Sequence, residues 1–134
     1  MRRTLAIVVL WGVAVLYGLG AMAHLQSMLG ATGTSWASTP MHWRVLDVVY
    51  LVLDIVVCIG LPMRVRIAAP AFYLAAASQI ALYTLLRPWI ADVPSGLALS
   101  PAEHAALDRL VWLHAVTVVL VSLALWTLRR TRNE

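Results

Sequence analysis

The stretch MHWRVLDVVYLVLDIVVCIGL, residues 41–61, decides the fold. It is apolar over about the 20 residues that a helix needs to cross a bilayer, yet it contains Asp47 and Asp54. The two aspartates are seven residues apart, so they share one face of a helix. A charged group at the bilayer centre costs about 2.5–3.5 kcal/mol on insertion scales. We therefore expect this helix to turn its aspartate face towards other helices.

Three more apolar stretches have a similar length, at residues 5–29, 67–86 and 107–128. The whole chain is 62% apolar and 12% charged, against about 45–50% and about 25% in ordinary soluble domains. A chain of this size cannot bury that much apolar surface in its own core. We predict an all-α fold, an integral membrane four-helix bundle that forms a single transmembrane domain over residues 1–134.

Local signals predict where the helices begin and end. Thr39 followed by Pro40 indicates an N-cap and a proline at the first helical position. Ser100 with Glu103 three residues later indicates a capping box. The predicted helices are about 5–29, 40–61, 67–86 and 101–129, joined by loops at 30–39 and 88–99 and by a short turn at 62–66.

The basic residues predict the orientation of the bundle. The chain has a formal charge of +4 and its basic residues are all arginines. One side carries Arg2, Arg3, Arg64, Arg66, Arg129, Arg130 and Arg132, and the other carries Arg44, Arg87 and Arg109 with Asp92, Glu103 and Asp108. The positive-inside rule then places both termini in the cytoplasm. We expect a multi-pass protein of the cell inner (plasma) membrane. The arginines lie in short clusters between apolar runs, which argues against nucleic-acid binding.

The first apolar stretch also resembles a secretory signal. Arg2 and Arg3 precede it, and Ala21-Met22-Ala23 follows the pattern of a cleavage site. Cleavage there would leave three spans and an N-terminal His24. The stretch is longer than the apolar core of a signal, which favours a spanning helix.

Polar side chains gather in the outer half of the predicted bundle. Topology places His24, Asp47, Tyr83 and His114 there, and intramembrane ionisable residues are functional candidates by default. The candidate ligand-binding residues are His24, Asp47, Tyr50, Asp54, Gln79, Tyr83 and His114.

The residues leave three interpretations of this cluster open. It can be a hydrogen-bonded network that fixes helix packing, or a pocket for a small ligand such as a quinone head group. It can also be a metal or haem site that uses His24 and His114, since imidazoles from facing helices suit iron or copper. Every metal ligand would come from a different helix, because the sequence has no HxxxH or CxxC pair.

The junction between the second and third helices resembles a known family. An acidic residue in helix 2, an apolar run, Gly60-Leu61-Pro62-Met63-Arg64 and an alanine-rich third helix resemble the DoxX-like group, over roughly residues 10–90. These are small four-helix bacterial membrane proteins, and members often have a lysine near the end of helix 1, where this chain has His24 and Gln26. The resemblance implies a redox or quinone-linked accessory role.

Together these patterns predict a small membrane accessory or ligand-binding protein with a polar pocket in the outer half of the bundle. Asp47 and His24 would be its polar anchors, with Tyr83 and His114 on the opposite wall. One alternative is a haem- or metal-binding membrane protein, and another is a non-catalytic interaction or immunity-type membrane protein. The expected partners are the lipid bilayer and a membrane protein complex or a second copy of the chain. No arrangement of residues in the sequence indicates a particular reaction, so no catalytic residue is predicted.

Overall fold

The computed structural model describes residues 3–31 and 33–131, and over those ranges the chain is helical with no strand. This confirms the predicted all-α fold. Arg2 and Arg132, two of the arginines that predict the orientation, lie outside the described residues. The helices are α1 Arg3–Met28, α2 Met41–Gly60, α3 Ala68–Thr84, α4 Arg87–Ala91 and α5 Pro101–Arg130, with single 3-10 turns at Trp36–Ser38 and Ser95–Leu97.

The expected capping box at the start of α5 is present. The Ser100 hydroxyl accepts a hydrogen bond from the Glu103 backbone N–H at 3.3 Å, and the Glu103 carboxylate accepts one from the Ser100 backbone N–H at 2.7 Å. The Ser100 hydroxyl and amide together hold the pKa of Glu103 below its ordinary value. Two orphan N–H groups at this helix end are thereby satisfied.

Two other local expectations differ from the structure. Pro40, not Thr39, is the N-cap of α2, and no side chain caps this helix end. The Thr39 hydroxyl donates instead to the carbonyl oxygen of Trp36 at 2.7 Å. The expected loop 88–99 contains most of α4, which has Pro88 in its first turn. Proline is tolerated in the first turn of a helix but not in its interior. This explains why α3 ends before Pro88 and a new short helix begins there.

The four long helices form a ring. α1 packs against α2 and α5, and α3 packs against the same two helices, so α1 and α3 lie diagonally. The end of α1, the start of α2, α4 and the start of α5 meet at one end of the bundle, which we call the upper end. Three contacts tie it together: His24 to Asp47, Trp43 Nε1 to the Ile90 carbonyl oxygen, and Arg87 to Asp108.

The apolar core occupies the lower half of the ring. Its largest fully buried side chains are Phe72, Leu10, Leu61, Val57 and Val121. Small residues on α3 and α5, such as Ala75 and Ala124, let the helix backbones approach closely. The upper half has fewer such side chains and contains the polar groups instead.

Large apolar side chains are exposed along the outward faces of α1, α2 and α5. Leu19 is 59% exposed, Val52 55% and Val116 52%, and each belongs to a continuous apolar stripe along its helix. Among the described residues, α1 and α5 are long and apolar enough to cross a membrane. α2 and α3 do not meet the same criterion. α2 contains three charged residues, and α3 has only 17 residues, about 26 Å of helix at 1.5 Å per residue.

The turn between α2 and α3 depends on Gly60. A Cβ placed on this buried glycine would lie 2.8 Å from the Ala68 Cβ, so a side chain cannot be added without moving the start of α3. The turn then reverses through Arg64, whose φ of 56° lies in the left-handed region. Gly60 therefore sets the distance between α2 and α3.

We expect Gly60→Ala to lower the free energy of unfolding by about 1–3 kcal/mol, the usual cost of overpacking a core. The matched control is Gly12→Ala, because a Cβ at Gly12 meets nothing within 4 Å. This control should leave the protein unchanged or stabilise it by up to about 1 kcal/mol through helix propensity. Unfolding in detergent, followed by far-UV circular dichroism, measures both; equal effects at the two glycines would contradict the assignment.

Candidate functional site

A cavity of about 390 Å³ lies in the upper half of the bundle, between the four long helices. Its polar lining comes from every wall. α1 contributes Tyr17 and His24, α2 contributes Asp54, α3 contributes Gln79 and Tyr83, and α5 contributes His114 and Thr117.

The mouth of the cavity is apolar and faces sideways. The exposed lining residues belong to α1 and α5: Leu16 is 38% exposed, Leu19 59% and Leu113 38%. The cavity therefore opens between these two helices, on the apolar flank of the bundle rather than at its upper end.

Three buried polar atoms in this cavity have no hydrogen-bond partner within the described part of the chain. They are Tyr17 Oη, Asp54 Oδ1 and His114 Nδ1, on side chains that are only 4%, 3% and 7% exposed. Native proteins leave few buried polar groups unpaired, and each costs about 1–3 kcal/mol. Three such atoms lie together in this cavity, which makes it the candidate functional site among the described residues.

Gly20 gives Asp54 its position. A Cβ at Gly20 would lie 2.5 Å from Asp54 Oδ2, so the carboxylate occupies space that only glycine leaves open. Within the described residues, Asp54 has neither a hydrogen bond nor an ion pair. The carboxylate thus lies between α1 and α2 at the inner end of the cavity, without a hydrogen-bonded partner but close enough to His24 for an electrostatic interaction.

His114 is oriented by α3. Its Nε2 is hydrogen-bonded to Gln79 Oε1. Because an amide oxygen only accepts, Nε2 is the protonated nitrogen and Nδ1 presents a lone pair. The Thr117 hydroxyl donates to the His114 carbonyl oxygen at 3.0 Å. The cavity therefore offers a donor at Tyr17 and acceptors at His114 and Asp54.

His24 is oriented by a second network that lies outside the cavity. Asp47 Oδ1 accepts from His24 Nδ1 at 2.9 Å, and Asp47 Oδ2 accepts from Ser27 Oγ at 2.9 Å and Trp36 Nε1 at 3.1 Å. The His24 ring is stacked on Tyr50, with centroids 5.9 Å apart. With Nδ1 engaged, Nε2 is the nitrogen that His24 can present to the cavity.

The structure separates the sequence-predicted site residues into two groups. His24, Asp54, Gln79, Tyr83 and His114 line the cavity. Asp47 and Tyr50 do not line it. The sequence predicts Asp47 as a polar anchor, whereas its carboxylate is already occupied by three donors, and Tyr50 donates its hydroxyl to Ser78 at 2.9 Å.

The two histidines proposed as metal ligands both line the cavity. Over residues 3–31 and 33–131, however, no group of three or more His, Cys, Asp or Glu side chains is placed to hold a metal ion.

The predicted set omits Tyr17, one of the three unpaired groups. The sequence does indicate that Tyr17 faces the same way as His24, because Tyr17, Gly20 and His24 recur at the three- and four-residue spacing of one helix face. Leu16, Leu19 and Leu113 at the mouth carry no such signal, since an exposed leucine beside an opening has the same sequence pattern as any other outward leucine.

Comparison of the chain with protein families, with characterised proteins and with solved structures finds no match.

We expect Asp47→Asn to lower the free energy of unfolding by about 1.5–3 kcal/mol, the range for hydrogen bonds to a charged group. The variant replaces a carboxylate that accepts from three donors by an amide whose NH₂ cannot accept. Chemical unfolding in detergent measures the change.

The control is Asp108→Asn at the exposed rim, whose side chain is 63% exposed and pairs with Arg87. An exposed pair contributes about 0–1 kcal/mol. If the two variants lost the same stability, the Asp47 network would have no special role in holding the upper end together.

Proposed function

We propose that the chain is a four-span protein of the inner (plasma) membrane, with both termini in the cytoplasm, that binds a lipophilic ligand with a polar aromatic head, of the quinone class. The polar head lies in the cavity and the apolar tail leaves between α1 and α5.

The distribution of apolar surface supports membrane insertion. Outward stripes on α1, α2 and α5 are exposed and apolar, including Val52 and Ile59 of α2, at 55% and 58%. On α3, Leu74 is 60% exposed. Large exposed apolar patches of this kind mark membrane or partner contact. The Asp47–Asp54 face of α2 is turned inward, so the two aspartates of this helix do not interrupt its apolar stripe.

The observation that carries the ligand proposal is the cavity with its three unpaired polar atoms. Its volume lies in the range of about 300–1,000 Å³ that small-molecule sites occupy. A sideways apolar mouth suits a ligand that arrives dissolved in the membrane, because such a ligand never has to leave lipid. A packing network alone would have satisfied these atoms within the protein.

The chemistry of the unpaired atoms favours a quinone or quinol. A quinone oxygen can accept a hydrogen bond from the Tyr17 hydroxyl, and a quinol hydroxyl can donate to His114 Nδ1 or to Asp54. The rings of Tyr17 and His114 lie 6.1 Å apart, centroid to centroid, so one ligand head can contact both. The DoxX-like resemblance implies a quinone-linked role as well.

The first test concerns topology. Cys58 is the only cysteine of the chain, so a Cys58→Ser background allows single cysteines to be placed at Gly33, Gly96 and Met63. A membrane-impermeant maleimide applied to intact cells should label the first two and not the third. Inside-out vesicles should give the reverse, and labelling of all three from one side would contradict four spans.

The second test concerns the ligand. Asp54→Leu should reduce quinone binding about tenfold, the loss expected when a hydrogen bond to a charged group is removed. The same variant should be as stable as the parent or more stable, because it removes an unpaired buried carboxylate. Quinone extracted per mole of purified protein and equilibrium dialysis with a short-tailed ubiquinone analogue measure binding.

Tyr73→Phe is the matched control, since it removes a hydrogen bond to Ser122 between α3 and α5 outside the cavity. It should leave binding unchanged. Leu113→Trp should slow binding by narrowing the mouth, and Leu120→Trp should not, because Leu120 is equally exposed on α5 but outside the lining. Loss of stability without loss of binding in Asp54→Leu would show that the polar cluster serves packing.

A haem or metal site at His24 and His114 is the second candidate. The observation in its favour is that both histidines line one cavity and that Asp47 orients His24, an arrangement usual for metal-bound imidazoles. The optical spectrum and metal content of the same preparation decide between the two. A colourless protein without iron or copper removes this candidate.

A further inference from the structure

We propose that the groove on the outer face of α2, at the upper end of the bundle, binds one phospholipid, with the lipid phosphate on Arg44 and an acyl chain along Val45, Val48 and Val49. This site is separate from the cavity. It rests on the proposed membrane insertion and is independent of the ligand that the cavity binds.

The groove combines a cation with an apolar floor. It encloses about 310 Å³ between Trp36, Met41, Arg44 and the three valines. The floor continues down α2 through Val52 and Ile55, which are also exposed. A charged end followed by an apolar track matches the head group and acyl chain of a phospholipid.

Arg44 has no anionic partner within the described part of the chain. Its Nε is buried without a hydrogen bond, and its one hydrogen bond is a weak contact from Nη2 to Met41 Sδ at 3.4 Å. Asp47, one turn further along α2, makes no ion pair with it, and its carboxylate accepts instead from His24, Ser27 and Trp36. A guanidinium with open donors is a strong ligand for phosphate.

Trp36 holds the guanidinium in place. The Arg44 Cζ lies 5.8 Å from the centre of the Trp36 ring, and that ring is itself fixed by its hydrogen bond to Asp47. Tryptophan is typical of the membrane–water interface, where phosphates lie. The cation is thus positioned at the depth of the lipid head groups, with the apolar track beginning one residue further on.

The test uses the full-length protein in detergent and titrates phosphatidylglycerol by native mass spectrometry. Arg44→Gln should weaken lipid binding at least about fivefold, the contribution of one arginine near a membrane surface. Arg109→Gln, which removes the same charge from the exposed start of α5, should have no effect. An equal loss in both variants would show general charge attraction and overturn the proposal.

A second pair of variants tests the apolar track for the acyl chain without changing the charge at Arg44. Val48→Trp should fill the groove and reduce lipid binding, whereas Val116→Trp, at an exposed position on α5 outside it, should not. Inorganic phosphate at millimolar concentration should fail to displace the lipid; displacement would assign the site to a free anion instead. Quinone retention in Arg44→Gln should stay normal, so failure of the lipid site and failure of the cavity proposal are distinguishable.

Discussion

The Asp47 carboxylate is the interaction on which the upper half of this protein depends. It accepts two donors from α1 and one from the 3-10 turn that follows, so a single side chain of α2 holds three segments together. Hydrogen bonds to an ionised group are roughly twice as strong as neutral ones, and low local dielectric strengthens them further. The same carboxylate orients His24 on the cavity side and Trp36 on the outer side. Both proposed sites therefore depend on one anchor.

The interior and the exterior of the bundle divide the polar and apolar residues in an unusual way. The lower half has a close-packed apolar core, while the upper half encloses polar side chains and keeps three of their atoms unpaired. The outward faces of α1, α2 and α5 expose large apolar side chains along most of their length. In water this arrangement would be unfavourable, because apolar side chains would stay exposed while polar ones were buried. In a bilayer the same arrangement would be favourable, because the surrounding lipid tails are as apolar as the exposed side chains.

Asp54 and Asp47 show how the same residue type can serve two purposes on one helix face. Asp47 lies where α1 supplies donors, so its charge is compensated and it contributes to stability. Asp54 lies two turns deeper, where α1 presents Gly20 and therefore space instead of a donor. The difference is set by the facing helix. A buried carboxylate without a hydrogen bond is costly for folding.

The sequence by itself determined the helical class, the capped start of α5, the inward face of α2 and the gathering of polar side chains in one half of the bundle. These follow from local rules, because apolar length, side-chain periodicity and caps act within one segment. Only the tertiary structure decided that Asp54 rather than Asp47 reaches the cavity, that Tyr17 joins it, and that its mouth opens between α1 and α5. Each of these depends on which helix faces which, and at what height. Residue spacing along one helix defines a face, but the donors opposite that face come from distant parts of the chain.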